Sequence, residues 1–200
     1  MRQLLLGLAF ALASTLAHAD ARSDCVGSFS STAVQDCTRW IIQEPNNSEA
    51  YYSRGLAYNL IGKINPAIAD FSQAIILNPN YANAYSARAE DYRRTGKFDV
   101  ALNDYNKAVE FAPNFKVYGE RADFYFGRAQ YQNAIADYTR ALDLMGPEGW
   151  FWYIKNRGLA YEKVGDKPKA IADLQRARAD PDSGANDQQI LAALRRLGAA

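Results

Sequence analysis

Paired carboxylates are the first residues in this sequence whose types and spacing could do chemistry. Glu90 and Asp91 are adjacent, and Asp123 follows Glu120 by three residues. Two neighbouring carboxylates can act as general acid and general base when their surroundings separate their pKa values. On an amphipathic helix such residues are far more often a solvated face. The sequence also lacks a Gly-rich phosphate loop, and its one histidine, His18, lies near the N-terminus. We therefore predict that the chain is not an enzyme and uses no cofactor.

Two cysteines, Cys25 and Cys37, are the second candidate for chemistry. A metal site or a redox pair would call for C-x-x-C spacing or histidines to complete it, and the mature chain offers neither. In an oxidising compartment two such cysteines normally pair, although two free thiols are the alternative. We predict a disulfide between them and no metal site.

The N-terminus carries the signature of an export signal. Met1 and Arg2 precede an apolar run from Leu4 to Leu16, and Ala17-His18-Ala19 supplies the small residues that a signal peptidase reads. The run is too short to span a membrane. We predict cleavage before Asp20 and a mature protein that is periplasmic or secreted, without stable membrane insertion.

The charge balance of the mature chain disfavours a nucleic-acid partner. The whole sequence has 23 Lys and Arg residues and 22 Asp and Glu residues, so the loss of Arg2 leaves about zero net charge. Proteins that bind nucleic acids usually carry a basic patch that neutralises phosphates. We predict a protein or peptide partner instead.

Arginine and aspartate recur in two matched rows. Each arginine precedes an aspartate by the same interval, in the pairs Arg54 and Asp70, Arg88 and Asp104, Arg121 and Asp137, and Arg157 and Asp173. We predict that each arginine bonds an aspartate on a neighbouring helix, in a partly buried ladder that fixes how the helices stack. An arginine row that binds an acidic ligand is the alternative, which the matched aspartates disfavour.

A longer repeat positions these rows. The segments that begin at Ser48 and Ala82 carry the same residue classes at one fixed offset, in the pairs Tyr51 and Tyr85, Gly55 and Ala89, Tyr58 and Tyr92, Gly62 and Gly96, Ala67 and Ala101, Phe71 and Tyr105, Ala74 and Ala108, and Pro79 and Pro113. A period of this length is typical of a solenoid whose unit is a helical hairpin.

The repeat gives a complete domain layout. The third unit departs in its turn, Gly127-Arg128-Ala129, and extra residues precede the fourth. Helix B of the first unit is predicted to begin near Pro66. The predicted parts are a signal peptide (1–19), a disulfide-tied irregular arm with a half-repeat (20–47), four units (48–81, 82–114, 115–148 and 149–181) and a capping helix (182–200) that Asp187 begins.

The repeat resembles that of the tetratricopeptide repeat (TPR) family. The shared pattern is an aromatic residue, Gly or Ala, Tyr, Ala, a second aromatic residue, Ala and a closing Pro at fixed spacing. The resemblance implies an all-α fold: a right-handed α-solenoid of stacked helix-turn-helix hairpins with a C-terminal capping helix. It also implies that the first helices of the units line a concave groove that binds an extended or helical peptide.

The family's groove positions, carried onto this sequence, predict the partner-binding residues. Chaperone-binding members hold a carboxylate with Lys and Asn in the first unit, and Tyr52 and Leu56 stand there instead, so we expect no such clamp. Glu49, Ser53, Leu60 and Gly119 occupy groove positions too. The predicted contacts are Tyr52, Leu56, Asn59, Asn83, Glu90, Arg93, Arg94, Lys116, Asp123, Phe126, Trp152, Lys155 and Asn156.

The sequence thus predicts an exported, non-enzymatic scaffold that binds a peptide segment or a partner protein in its groove. The alternative is an accessory or regulatory subunit of an envelope enzyme or assembly machine. That subunit would act through its convex face or through the aromatic cluster from Trp150 to Tyr153, which is either core or interaction patch. Self-association through the end helices stays open.

Overall fold

The computed structural model describes residues 21–26, 32–146, 151–180 and 187–199, and every regular element in them is an α-helix. The predicted signal peptide and Trp150 lie outside these ranges. Residues 21–26 are helical. The helices that follow are α1 (Ala33–Gln43), α2 (Ser48–Leu60), α3 (Ile64–Leu77), α4 (Ala82–Arg94), α5 (Phe98–Phe111), α6 (Phe115–Gly127), α7 (Tyr131–Met145), α8 (Phe151–Val164), α9 (Lys167–Arg178) and α10 (Gln188–Leu197).

The chain divides into two compact units, one that ends at Asp104 and one that begins at Tyr105. In the first unit, α1 packs on α2, α2 on α3 and α3 on α4. In the second unit, α6 packs on α7, α7 on α8, α8 on α9 and α9 on α10, which also touches α8. The predicted all-α architecture of consecutive helical hairpins with a final capping helix is therefore confirmed.

Small residues set against large ones close the hairpins. A methyl group on Gly55 in α2 would overlap the ring of Phe71 in α3. In the second unit, a methyl group on Gly158 would lie 3.0 Å from Cγ of Leu174. Because glycine has no Cβ atom, the two helices can approach closely there, and the large side chain on the facing helix fills the space between them. The repeating Gly or Ala and its aromatic or Leu partner therefore specify the hairpin.

Side-chain caps fix several helix starts. Asn47 accepts hydrogen bonds from the N–H groups of Glu49 and Ala50 at the start of α2, and Asn114 begins α6 in the same way. Such caps satisfy N–H groups that have no partner within the helix. Helix α3 begins at Ile64, two residues before the predicted Pro66. The proline fits because the N–H groups of the whole first turn lack intrahelical partners.

The turn of the third hairpin differs from the others in its left-handed residue. Gly62, Gly96 and Gly165 take positive φ after the first helix of their hairpins, whereas Ala129 has a φ of 58°. Gly127 is the last residue of α6 and not the left-handed residue of the turn. The left-handed conformation brings Cβ of an L-residue close to a carbonyl oxygen, so this turn is strained.

Replacing Ala129 with glycine is expected to stabilise the protein by about 0.5 to 1 kcal/mol, the relieved strain less the extra entropy that glycine loses on folding. The measurement is the free energy of unfolding in urea. The matched control is Gly96→Ala, which puts a methyl group at the equivalent turn of the preceding hairpin and is expected to destabilise by a similar amount. A destabilising Ala129→Gly would contradict the strain.

The arm before α1 is helical over residues 21–26, so the prediction of an irregular arm is wrong there. The segment is helical because a helix places residues four apart on the same side. Ala21 and Cys25 are both buried on that side, where they pack with Trp40 and Ile41 of α1. The predicted disulfide is present, because Cys25 bonds to Cys37 in α1. The short helical segment thus covers the end of the array.

Candidate functional site

A cleft of about 520 Å³ lies along α2 in the first unit. Its volume falls in the range typical of sites that take a small ligand or a few peptide side chains. The structure brings together here three of the predicted partner contacts and three further groove positions. The lining residues are Glu49, Tyr52, Ser53, Leu56, Ala57 and Leu60 of α2, Tyr81 and Asn83 at the start of α4, and Cys25 and Val26 from the N-terminal segment.

The cleft has an apolar floor. Leu56 and Leu60 lie one helical turn apart and are 43% and 56% exposed, respectively. The ring of Tyr52 lies beside them, with its centroid 5.1 Å from that of Tyr81 and 5.8 Å from that of Phe71. Leucines left open in a concavity mark a surface that another apolar group can cover.

The cleft carries little charge. Burial, together with Tyr52 and Glu49, raises the pKa of Tyr81 to about 12, so its hydroxyl is neutral at physiological pH. Glu49 is the one acidic or basic residue among the ten described lining residues, and its Oε2 lies 3.2 Å from Nη2 of Arg22. The site therefore suits a ligand recognised by apolar and uncharged polar groups.

Four other predicted contacts in the first unit lie outside this cleft. Nδ2 of Asn59 donates to Oδ2 of Asp91 over 3.1 Å, and Nη1 of Arg94 lies 3.4 Å from Oδ1 of the same carboxylate. Burial raises the pKa of Asp91 although both partners act to lower it. Glu90 and Arg93 pair with each other on the exposed side of α4. Asn59 therefore ties α2 to α4.

In the second unit the predicted contacts on α6 engage their neighbours. Nζ of Lys116 lies 3.8 Å from Oε1 of Glu120. Asp123 accepts hydrogen bonds from the hydroxyl of Tyr138 and from Nδ2 of Asn156. Phe126 meets a ring of the next helix, Tyr131, edge to face with centroids 5.5 Å apart. Burial, with Asp123 as its neighbour, also raises the pKa of Tyr138. The Lys116 pair lies within α6, whereas the contacts of Asp123 and Phe126 join α6 to α7 and α8.

The aromatic cluster is split between core and surface. Tyr153 is buried, and its ring fills the space that a side chain at Gly119 would need, so this groove position is occupied from within. Burial raises the pKa of Tyr153 to about 12. Trp152 is 48% exposed, and Nζ of Lys155 lies 4.2 Å from the centroid of a Trp152 ring. The surface part of the described cluster is therefore Trp152.

Lys155 and Asn156 are buried, so their prediction as partner contacts does not fit the structure. Lys155 is 4% exposed, and its Nζ lies 3.0 Å from Oδ2 of Asp187, the residue that caps α10. Burial acts to raise the pKa of Asp187, but the N–H groups of Ile190 and Gln189 and the Lys155 ammonium outweigh it and hold the pKa low. Lys155 is held by the cap residue of α10 and Asn156 by Asp123 of α6, so contacts within the second unit occupy both groove positions.

The predicted arginine–aspartate ladder is present in both units. In every pair Nε and Nη2 of the arginine donate to the two carboxylate oxygens over 2.7–3.0 Å, which is bidentate geometry. Each pair joins the two helices of one hairpin. The pairs are Arg54 and Asp70, Arg88 and Asp104, Arg121 and Asp137, and Arg157 and Asp173.

Each ladder arginine also bonds to the helix that precedes its own hairpin, a contact that was not predicted from the sequence. Nη1 donates to a small polar side chain in the helix before: Arg54 to Thr38, Arg88 to Ser72, Arg121 to Asn106 and Arg157 to Thr139, over 2.8–3.2 Å. A signal for it was available, because each of these polar residues follows an aspartate by two positions.

Tyrosines flank the ladder arginines. The guanidinium carbon of Arg54 lies 5.7 Å from the ring centroid of Tyr51 and 5.9 Å from that of Tyr58. Cation–π contacts of this kind add to the hydrogen bonds of the arginine. Arg88 and Arg121 are flanked in the same way. Because the guanidinium groups are bonded to aspartates and covered by rings, the arginine row is structural, and binding of an acidic ligand by the row has no support.

Comparison with protein families agrees with this architecture. Three models described as tetratricopeptide repeat match residues 48–81, 82–115 and 115–144. The chain contains tetratricopeptide repeats. TPR proteins are typically protein-interaction scaffolds and generally not enzymes. The cleft lies on the first helix of the first matched TPR.

Solved TPR-like structures share the fold at low sequence identity. MamA from Desulfovibrio magneticus has a TM-score of 0.70 and 21% identity, with 82% of this chain and 92% of that chain covered. A thermophilic TPR protein from Thermus thermophilus gives 0.61 and 19%, with 84% and 90% covered. PilF from Pseudomonas aeruginosa gives 0.65 and 21%, with 75% and 67% covered. A comparison with curated protein sequences gave no significant match.

None of the helices in the described ranges has the length and apolar character needed to cross a membrane. In the same ranges no group of three or more His, Cys, Asp or Glu side chains is placed to hold a metal ion.

Proposed function

We propose that this chain is a non-enzymatic scaffold that binds an extended peptide segment of a partner protein in the cleft on α2. The observation that carries the proposal is the cleft itself, a concavity of about 520 Å³ whose floor is apolar and open. A concavity with an apolar lining and a few polar groups is the usual form of a binding site.

The shape and chemistry of the cleft favour an extended peptide with apolar side chains. Leu56, Leu60 and the ring of Tyr52 offer apolar contact area, which contributes to binding in proportion to the area covered. Ser53 and Asn83, at the sides of this floor, carry hydroxyl and amide groups that can hydrogen-bond an extended backbone. A partner segment with apolar side chains and few charges fits this arrangement.

Export is a separate part of the proposal. The N-terminal sequence has the features of a cleavable signal, and a disulfide such as Cys25–Cys37 persists in oxidising compartments. The test is to fractionate the cells and to measure the mass of the protein in each fraction. A periplasmic chain that begins at Asp20 supports export, whereas a cytoplasmic chain that keeps residues 1–19 contradicts it.

Replacing Leu56 with glutamate is expected to weaken peptide binding at least about tenfold, because a charge then replaces apolar floor that the ligand covers. A peptide is first selected on the oxidised chain from a random library, and its affinity is then measured by calorimetry. Leu56 is exposed, so the change leaves the core of the first unit intact.

The matched control is Ile76→Glu, which makes the same kind of change on α3. Ile76 is 71% exposed and lies outside the cleft, so this variant is expected to bind the peptide as the parent does. Equal binding by the Leu56 variant would contradict the proposal.

A second candidate function is an accessory subunit that contacts its partner through Trp152. The exposure of that indole is the observation that favours it, since large aromatic side chains supply much of the energy at protein interfaces. The variant Trp152→Ala distinguishes the two functions. It is expected to leave peptide binding unchanged if the peptide binds in the cleft, and to abolish binding if the peptide binds at Trp152.

A further inference from the structure

One wall of the cleft comes from outside the TPR helices. Cys25 and Val26 line the cleft, and they belong to the short helical segment at residues 21–26. The other lining residues lie on α2 or at the start of α4. The shape of the site therefore depends on how firmly this segment is attached to the first unit.

Three polar or covalent tethers attach the segment. Arg22 pairs with Glu49 at 3.2 Å, and Asp24 pairs with Arg39 at 3.3 Å. All four of these side chains are largely exposed, and exposed ion pairs hold weakly. The third tether is the bond from Cys25 to Cys37, which is covalent. Ala21 and Cys25 also pack on Trp40 and Ile41, which adds a small apolar contact. The disulfide is therefore the strongest single attachment of the wall.

We infer that the Cys25–Cys37 disulfide controls the cleft, so that its reduction by a dithiol frees residues 21–26 and weakens peptide binding. The inference rests on the proposed function, because it concerns the same site. It adds a redox dependence to a surface whose other lining residues have no redox chemistry.

The reaction is a thiol–disulfide exchange in two steps. A thiolate of the dithiol attacks Sγ of Cys25, because Cys25 lines the cleft and is 5% exposed, whereas Cys37 is 0% exposed. The sulfur–sulfur bond breaks, and Sγ of Cys37 leaves as a thiolate that takes up a proton. The second thiol of the reductant then displaces Cys25, which also becomes a thiol. The two electrons come from the dithiol, which ends as a disulfide.

Peptide binding and reduction are linked in both directions. A peptide in the cleft covers Cys25 and keeps it from the attacking thiolate, so bound peptide should slow the reduction. At equilibrium, the factor by which oxidation tightens peptide binding equals the factor by which peptide disfavours reduction. A tenfold factor corresponds to a shift of about 30 mV in the reduction potential of the disulfide.

The test uses the full mature chain and the peptide selected on its oxidised form. The oxidised chain is expected to bind this peptide at least about tenfold more tightly than the Cys25→Ser, Cys37→Ser double variant. Saturating peptide is also expected to slow reduction of the parent by dithiothreitol, and this second measurement needs no variant. Equal affinities together with an unchanged reduction rate would overturn the inference.

Further outcomes separate this inference from the proposed function. If the peptide binds both redox forms equally and Leu56→Glu still abolishes binding, the redox inference fails and the proposed function stands. If no selected peptide depends on Leu56, both fail. If the double variant loses helical circular dichroism, its affinity is not used, and the test is the reduction of the parent disulfide with and without peptide. A reduction rate that the peptide does not change would then overturn the inference.

Discussion

Replacing Asp104 with alanine is expected to destabilise the protein by about 3 to 5 kcal/mol, the range for removing one partner of a buried ion pair. The side chain of Asp104 is 2% exposed, and that of Arg88 is 17% exposed. Without the carboxylate, the guanidinium keeps its bond to Ser72 but loses two charge-assisted hydrogen bonds. Urea unfolding of the parent and the variant measures the difference.

Two further variants show that burial and pairing are the cause. Glu90→Ala breaks the exposed pair with Arg93 on the same helix, α4, and is expected to cost less than about 1 kcal/mol. Arg88→Met combined with Asp104→Leu removes both charges and is expected to recover most of the lost stability, because no unpaired charge is left. An Asp104→Ala effect no larger than that of Glu90→Ala would contradict a structural role for the ladder.

Replacing Asp187 with alanine is expected to destabilise the second unit by about 3 to 5 kcal/mol through the Lys155 ammonium that it leaves buried and unpaired. Loss of the α10 cap adds about 0.5 to 2 kcal/mol. The carboxylate accepts from two backbone N–H groups of α10 and from Lys155 in α8, so it holds both helices. Urea unfolding and hydrogen exchange of α10 measure the loss.

Asp166→Ala is the matched control, because Asp166 caps α9 and pairs with the exposed Lys169. It is expected to cost only about 1 kcal/mol. The low pKa of Asp187 means that its contribution is present above the ordinary value of 3.8 and is lost as the pH falls through the value in the folded state. The difference in the free energy of unfolding between the parent and Asp187→Ala should therefore shrink below about pH 4. An Asp187 variant as stable as the Asp166 variant would contradict this account.

The fold could be predicted because the residues that recur in the repeat are the ones that pack the helices together. Gly55 and Phe71 are recognisable as a small and a large residue at one fixed spacing, and in the structure they meet. The ladder could be predicted for the same reason, since Arg88 and Asp104 keep their spacing in every unit. Features that recur are visible in a single sequence because each copy repeats the others.

Features that occur once were missed or misjudged. The helical turn at residues 21–26 has no repeated counterpart, and its stability comes from contacts with Trp40 that sequence spacing does not show. Lys155 looked like a groove residue because its position in the unit is a groove position. The capping helix covers that position through Asp187, and tertiary packing at the end of an array follows no repeat.

The cleft on α2 was predicted in part from the sequence. Tyr52, Leu56 and Asn83 line the cleft as the groove pattern suggested, because they lie on or beside a first helix of regular spacing. Cys25 and Val26 were not expected there. The disulfide was predicted from composition and compartment, but its place beside the binding surface depends on how the segment at residues 21–26 folds back.

Methyl and ring NMR spectra of the mature protein, recorded as the selected peptide is added, test the central claim most directly. The claim is that the cleft on α2 is the binding surface. The account predicts shifts at the methyl groups of Leu56 and Leu60 and at the rings of Tyr52 and Tyr81, with the Trp152 indole unchanged. Shifts at Trp152 that leave both leucines unaffected would contradict it.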